Sequence, residues 1–510
     1  MTARALAGRL PYPTSRALLT GVFAAGAAGV LAAFVIWPLA AVVVTGAALA
    51  AAVPPIAELA RTLALAAVST LLTVALATAV AYAGQRCSVP GGAAAHRVST
   101  LGLVLPPVVP ALGVLTLAGG RAGFATLVAA QVVSFLPYAY LAAGHALAAV
   151  DPDREDAAES LGADRMRILK RVTLPALVPG LVTTAIAVAL CSVADLVNPM
   201  IAGGGYTVLT RAVFTSPMPL VSGSAIAVWL LAPCLVLAVL GRGRARAIIA
   251  MPEVRGRRYR RTPRVVAVPL TIVAVAVTLA QLAIAGAVLA AAAVATWQQG
   301  TGAMARAYGG SVLTSLTLAA AAGVAGTLIA IVIAALVARG TRGAMLLEQA
   351  SLLPSSLPGL VLGLGLVLAY GPEPATALCI AGLTAAALPI AVAAAIAGMR
   401  RLDRNVTAVA ASLGAGRARA FSRVLAPLLT PVTGSILAAV VIRALGAVSV
   451  VAVLPRLEPG LASVAALDLA FAGRPREACV PAAMLALVVA LVVGLRRALP
   501  GRQHASVWFL

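Results

Sequence analysis

Twelve apolar runs, each about long enough to cross a bilayer, leave this chain little choice but to fold in lipid. They lie at about 17–47, 62–84, 98–118, 122–149, 174–198 and 221–241, and again at about 266–296, 313–338, 347–370, 374–398, 428–454 and 478–495. A membrane-crossing helix needs roughly 20 mostly apolar residues. Unpaired backbone amides are too costly in hydrocarbon, so a run of that length closes its own hydrogen bonds as a helix. The expectation is an all-α membrane protein with about 12 transmembrane helices. Composition agrees: 62% of the residues are hydrophobic and 10% charged, against about 25% charged in soluble domains.

The first run follows Arg4, Arg9 and Arg16, as the core of a signal peptide would. A signal core is only about 7–15 residues long, so this longer run reads as a retained membrane helix. The net charge of +23 raises the question of nucleic acid, and its distribution answers it. With the N-terminus inside, all but eight of the 38 Lys and Arg fall in cytoplasmic segments. The exceptions are Arg61, Arg121, Arg211, Arg306, Arg456, Arg474 and Arg476 outside and Arg443 within a span. This asymmetry is the positive-inside pattern and places both termini in the cytoplasm. It leaves no reason to invoke a nucleic-acid partner, and aromatics at 4% offer few stacking platforms. The five cysteines form no CxxC pair, so neither a disulfide framework nor a zinc site is expected.

The chain also repeats itself. Thr62–Ala67 faces Ser315–Ala320, and Pro106 and Pro110 face Pro354 and Pro358 with the same spacing. Residues 158–179 align without gaps on 410–431 at an offset of 252, sharing Ser-Leu-Gly-Ala, three arginines and two prolines. Three segments follow: a first half at 1–241, a basic cytoplasmic linker at 242–265 with nine arginines, and a second half at 266–510. Six spans per half is an even number, so the two halves enter from the same side and form a parallel repeat, a design that puts a pathway at the interface.

The most specific signal lies in the loops at 151–173 and 399–427, each between the fourth and fifth spans of its half. Asp156-Ala157-Ala158-Glu159-Ser160-Leu161-Gly162 leads on to Leu174-Pro175, and Gly414 and Pro427 repeat the spacing. This resembles the EAA loop of binding-protein-dependent ABC importer permeases. Asp156 stands where that family usually has Glu, and Ala408, Val409 and Ala410 stand at the corresponding triplet of the second copy. The stretches Ala194–Pro199, Gly203–Leu209, Arg443–Ser449 and Ala462–Ala465 are similar to fused ferric-iron-type permeases, and related sequences occur in thiamine, aminoethylphosphonate and polyamine permeases. The resemblance implies a type I ABC importer permease fold of two parallel six-helix repeats. It further implies that Asp156, Ala157, Ala158, Gly162, Ala408, Ala410 and Gly414 contact two ABC ATPase subunits. An extracytoplasmic solute-binding protein would deliver a small solute such as ferric iron to a permease in the cytoplasmic membrane of a prokaryote. Lacking the acidic residue, the second loop is expected to dock more weakly.

A phosphate-cradling loop needs a lysine after its glycines. The sole lysine, Lys170, follows Arg167-Ile168-Leu169, so ATP is expected to be used by a partner chain and no cofactor bound by this one. No His-Glu-x-x-His or Gly-x-Ser-x-Gly pattern suggests an enzyme. Ionisable residues in spans point to function by default: Asp195 and Arg443 are candidates for a pathway or gating role, with structural partnering as the alternative. The rival architecture is a twelve-helix secondary transporter of the major-facilitator kind. Its acidic loop between the second and third spans is missing from residues 85–100, and the duplicated EAA-like loop has no place in it.

Overall fold

The computed structural model describes residues 14–52, 54–87, 92–218, 220–249, 262–341, 343–400, 412, 419, 423, 424 and 426–498. Among them every regular element is a helix, and no strand is present. The first half contains α1 (Thr14–Leu31), α2 (Trp37–Ala52), α3 (Ile56–Arg86), α4 (Gly92–Leu101), α5 (Val108–Leu117) and α6 (Phe124–Ala148). It continues with α7 (Pro152–Ser160), α8 (Arg165–Ile168), α9 (Leu174–Val193), α10 (Val197–Ala202), α11 (Leu209–Phe214) and α12 (Ser222–Ile249). The second half contains α13 (Arg264–Gln299), α14 (Thr301–Ala338), α15 (Ala344–Leu352), α16 (Gly359–Tyr370), α17 (Ala375–Arg400), α18 (Ala426–Leu445), α19 (Ala462–Phe471) and α20 (Pro475–Ala498). The middle of the expected linker lies outside the described residues. Its first residues continue α12 as helix to Ile249.

Ten helices among the described residues are long and apolar enough to cross a membrane, and the bent pair Ala344–Ser356 and Gly359–Tyr370 makes an eleventh crossing if counted as one. This is therefore a multi-pass membrane protein. Two of the twelve expected spans are not continuous helices. The run at 98–118 is broken between α4 and α5, and the run at 347–370 bends by 109° between α15 and α16. Prolines stand at both breaks, Pro106 and Pro107 in the first and Pro354 and Pro358 in the second. Each removes a backbone donor, and Leu357, before Pro358, is turned to extended backbone. Irregular backbone at membrane depth is tolerated where protein covers it. Val108, Val109 and Leu112 beyond the first break, and Leu357, Leu360 and Val361 beyond the second, are buried.

The broken third element still carries the chain back across. Helices α3 and α6 run in the same direction: Leu65 clusters with Leu127 near their starts, and Ala81 with Tyr140 and Ala143 near their ends. The segment joining the end of α3 to the start of α6 must return along the full length of both.

The two halves embrace. Helices α1 and α2 pack on α14, α15 and α16 of the second half, while α13 packs on α3, α4 and α5 of the first. Helix α2 lies on α12, and α13 lies on α20, so each opening helix bridges the end of its own half and the broken element of the other. Close approach requires glycine here. A side chain at Gly113 would collide with the Ile284 carbonyl, and one at Gly365 with the Pro38 carbonyl. One large apolar cluster accordingly runs across the boundary, joining Val42, Leu112 and Leu115 to Leu360, Leu364, Val448 and Cys479.

The repeat reaches single hydrogen bonds. The Leu209 amide donates to Thr62 Oγ1 (2.9 Å), and the Ala462 amide donates to Ser315 Oγ (2.9 Å). Both hydroxyls in turn donate four residues back along their own helix. Residues 253 apart thus give the first free amide of α11 and of α19 the same partner.

Candidate functional site: the loop helix and the inter-half gap

The loop at 151–173 is not one helix. Asp151 caps α7 by accepting from the Asp153 amide at 3.0 Å, with Pro152 as the first helical residue. Helix α7 ends in a Schellman turn. The Gly162 amide donates to the Glu159 carbonyl (2.9 Å), the Ala163 amide donates to the Ala158 carbonyl (3.0 Å), and Gly162 takes φ +79°. Asp164 then caps α8 through the Arg167 amide at 3.3 Å. Helix α8 runs through one wide turn, Leu169–Thr173, into α9, so the span expected at 174–198 begins at Arg165 and ends at Val193.

Of the residues singled out in the sequence, Asp156, Ala157 and Gly162 are exposed and Ala158 is half-buried. A Cβ at Gly162 would meet nothing within 4 Å of this chain. The turn needs glycine for its left-handed backbone rather than for lack of room. Leu161 is 88% exposed, an apolar side chain presented to the outside of the bundle beside Asp156, Ala157 and Gly162. Ala408, Ala410 and Gly414, the matching residues of the second loop, lie outside the described residues.

The residue that fixes this helix is Glu155, which sequence reasoning passed over. Its carboxylate takes the Arg86 guanidinium at 2.7 Å and the Thr173 hydroxyl at 2.6 Å. The side chains of Arg86 and Glu155 are 8% and 2% exposed. Three elements meet at this carboxylate: the end of α3, the first turn of α7 and the head of α9. Thr262, just before α13, donates to the Arg86 carbonyl at 3.0 Å and brings a fourth element to the same point. The carboxylate one position before the family motif is thus a buried junction. Only the pairing with Arg86, 69 residues away, could have disclosed it.

Asp195 lies just past the end of α9. It accepts from Gln131 Nε2 (3.0 Å), Asn198 Nδ2 (2.8 Å) and the Asn198 amide (3.3 Å), and its own carbonyl accepts from Thr210 Oγ1 (2.7 Å). Ser192 Oγ donates to Gln131 Oε1 at 2.6 Å. The Asp195 carboxylate and carbonyl together therefore tie the end of α9 to α6, α10 and α11. At an offset of 252, the residues facing Gln131, Ser192, Asp195 and Asn198 are Leu383, Ala444, Ala447 and Val450, all apolar. The polar knot belongs to the first half alone.

Arg443 is the counterpart of Cys191 at that offset. It is exposed on α18, forms no ion pair with Asp195, and lies within electrostatic range of Tyr138 on α6 and Cys191 on α9. Tyr138 and Cys191 are exposed as well. A side chain of the second half thus lies near two of the first. Gly446, one turn on from Arg443, leaves room there for Pro106 and Pro107 of the first broken element. Among the described residues no group of His, Cys, Asp and Glu could hold a metal ion.

The described residues form an all-α bundle of two like halves that crosses the membrane many times. Residues 81–250, a third of the chain, match the family described as the binding-protein-dependent transport system inner membrane component. The chain is 24% identical over 428 residues to the ferric transport system permease protein FbpB of Actinobacillus pleuropneumoniae, covering 73% of this chain and 62% of that one. It is also 24% identical over 399 residues to a putative ferric transport system permease protein of Haemophilus influenzae, covering 69% and 63%. Against the molybdenum transport system permease protein ModB of Escherichia coli K12 it is 39% identical over 116 residues, or 19% of this chain and 49% of that one. The chain thus spans less than two thirds of the length of the ferric relatives. The resemblance read from the loop holds over residues 81–250, which contain that loop.

Proposed function

We propose that the chain is the membrane-spanning permease subunit of an ABC importer. It translocates a small solute delivered by an extracytoplasmic binding protein, and separate ATPase subunits drive it. The observation that carries this reading is α7. An exposed surface of Asp156 and Ala157 on α7, with Leu161 and Gly162 in the turn that ends it, belongs to a helix that Glu155 anchors to α3 and α9. A partner that pushes on that face moves two membrane helices at once.

In this reading the loops at 151–173 and 399–427 are coupling helices, and one chain, supplying both, takes two ATPase subunits. The end of the bundle carrying Arg86 and Glu155 is cytoplasmic, as are both termini, in the cytoplasmic membrane of a prokaryote. Closure of the ATPases draws the coupling helices together and rocks the halves about the gap, where Arg443, Tyr138 and Cys191 line the path. Asp195 holds the first half's side of that gap in shape. The ferric relatives cover most of the chain and make an iron species or another small ion the first cargo to assay.

A photo-crosslinking side chain placed at Leu161 tests the docking face. Co-expressed with an ABC ATPase subunit from the same organism, the chain should cross-link to that subunit, and a probe at Trp297 should not. Trp297 is 89% exposed near the end of α13, on the opposite side of the membrane in this reading. Equal cross-linking at both positions, or none at Leu161, contradicts the assignment.

A further inference from the structure

A cavity of about 960 Å³ opens on the side of the first half, between α3, α9, α12 and α13. It lies at the upper end of ligand-sized cavities, roughly 300–1,000 Å³. Its wall is almost wholly apolar, with Leu71 and Val74 facing Leu181 and Val236, and alanines such as Ala75 and Ala185 leave the depth. On α3 the lining runs from Leu63 to Tyr82. At 1.5 Å per residue that is about 29 Å, the thickness of a bilayer's hydrocarbon layer. The groove therefore follows the acyl-chain direction through the membrane.

Its two ends differ. At the end marked by Tyr82 and Leu169 it adjoins a small polar pocket that shares those two residues and adds Arg86, Glu155, Arg165 and Thr262. Glu155 is already taken by Arg86 and Thr173. Lys170 and Arg171 stand between the lining residues Leu169 and Leu174, and Arg264 stands between Pro263 and Val266 of the two pockets. Arg165, Lys170, Arg171 and Arg264 are all exposed, and none forms an ion pair among the described residues. At the far end, Arg61, the cation nearest Leu63 in sequence, donates to Thr207 at 2.7 Å. Cations without counter-ions thus gather at one end of an apolar, membrane-length groove.

We propose that this groove is a binding site for an anionic phospholipid, with its acyl chains against α3 and α9 and its phosphate among Arg165, Lys170, Arg171 and Arg264. An apolar tail and an anionic head are what the two parts of the site recognise. A neutral lipid occupies the half of the groove nearest the cations, about one leaflet deep, but leaves them without partners, and a free anion finds no use for the apolar wall. The bound lipid would bridge α3, α9 and α13, the helices that meet at Glu155. This goes beyond the transport reading and does not depend on it.

The test uses the full chain reconstituted in bilayers of equal phosphatidylglycerol and phosphatidylcholine, extracted in mild detergent, with retained lipids counted by native mass spectrometry. Phosphatidylglycerol should be retained in preference to phosphatidylcholine. The combined Arg165→Gln, Lys170→Gln and Arg171→Gln variant should lose that preference, by about fivefold for each cation removed. Ala185→Phe, which fills the groove, should lower retention of both lipids, and Leu279→Phe, on the exposed face of α13, should leave it unchanged. Ala75→Phe, from the facing helix, serves if Ala185→Phe is not monodisperse. The proposal is overturned if the wild-type chain retains the two lipids equally. It is overturned as well if the folded triple variant keeps the preference, or if a folded groove-filling variant retains lipid like the wild type.

Discussion

Replacing Glu155 by alanine should loosen α7 from the bundle. Both partners of the ion pair are nearly inaccessible to solvent, so the loss is that of a buried pair rather than a surface one. Removing Glu155 takes this buried counter-ion from the Arg86 guanidinium, at about 3–5 kcal/mol. The Thr173 hydroxyl also loses its acceptor, at about 1–3 kcal/mol. The double variant Arg86→Met, Glu155→Leu removes the remaining buried charge. It should recover most of the first loss and keep the second, and adding Thr173→Val should relieve that too. Denaturant unfolding in detergent gives the global effect, and limited proteolysis within 151–163 reports local release of α7. Transport should fall in all three, because an apolar contact does not hold α7 in one orientation as a bidentate carboxylate does. If Glu155→Ala unfolds and resists proteolysis like the wild type, or if the double variant is as damaged as the single one, the junction is not what holds the helix.

Further outcomes follow from the same geometry. Gly162→Ala and Gly162→Leu should destabilise the isolated chain alike, by about 1–2 kcal/mol for a left-handed residue, since no atom lies within 4 Å to tell them apart; any extra deficit of the leucine variant in ATPase pull-down measures docking at that surface, and equal pull-down places the contact elsewhere. Thr62→Val and Ser315→Ala should each orphan a buried amide, of Leu209 and Ala462, for about 1–3 kcal/mol in thermal unfolding; a large effect in one half and none in the other would deny the equivalence of the repeats. Cysteine labelling from outside should reach residues 300–305 and miss 250–262, and the reverse pattern would invert the topology.

Much of this architecture was legible in the sequence, and the exceptions have physical causes. The spans follow from run length alone, because lipid leaves the backbone no other way to pair. Thr62 opposite Ser315 was visible as an offset, and the structure gives both the same amide to accept. Pro106 and Pro354 were visible as a match between halves, yet apolar runs around them hid that each breaks its helix; hydropathy does not register a missing donor. Glu155 could not be told from the other acidic residues of its loop. Its role depends on Arg86, brought to it by the parallel packing of α3 and α6, and no local pattern encodes that. The glycine at 162 was legible as part of the motif, but its left-handed turn and the open space beside it show only in the structure.

The central claim is that one chain carries both halves of an ATP-driven permease. The direct measurement is the mass and solute uptake of the complex purified with its ATPase subunits and reconstituted in proteoliposomes. One copy of this chain with two ATPase subunits, and uptake that requires both ATP and the binding protein, is the expected result. Two copies of the chain in the complex, or uptake by the chain alone driven by an ion gradient, would contradict it.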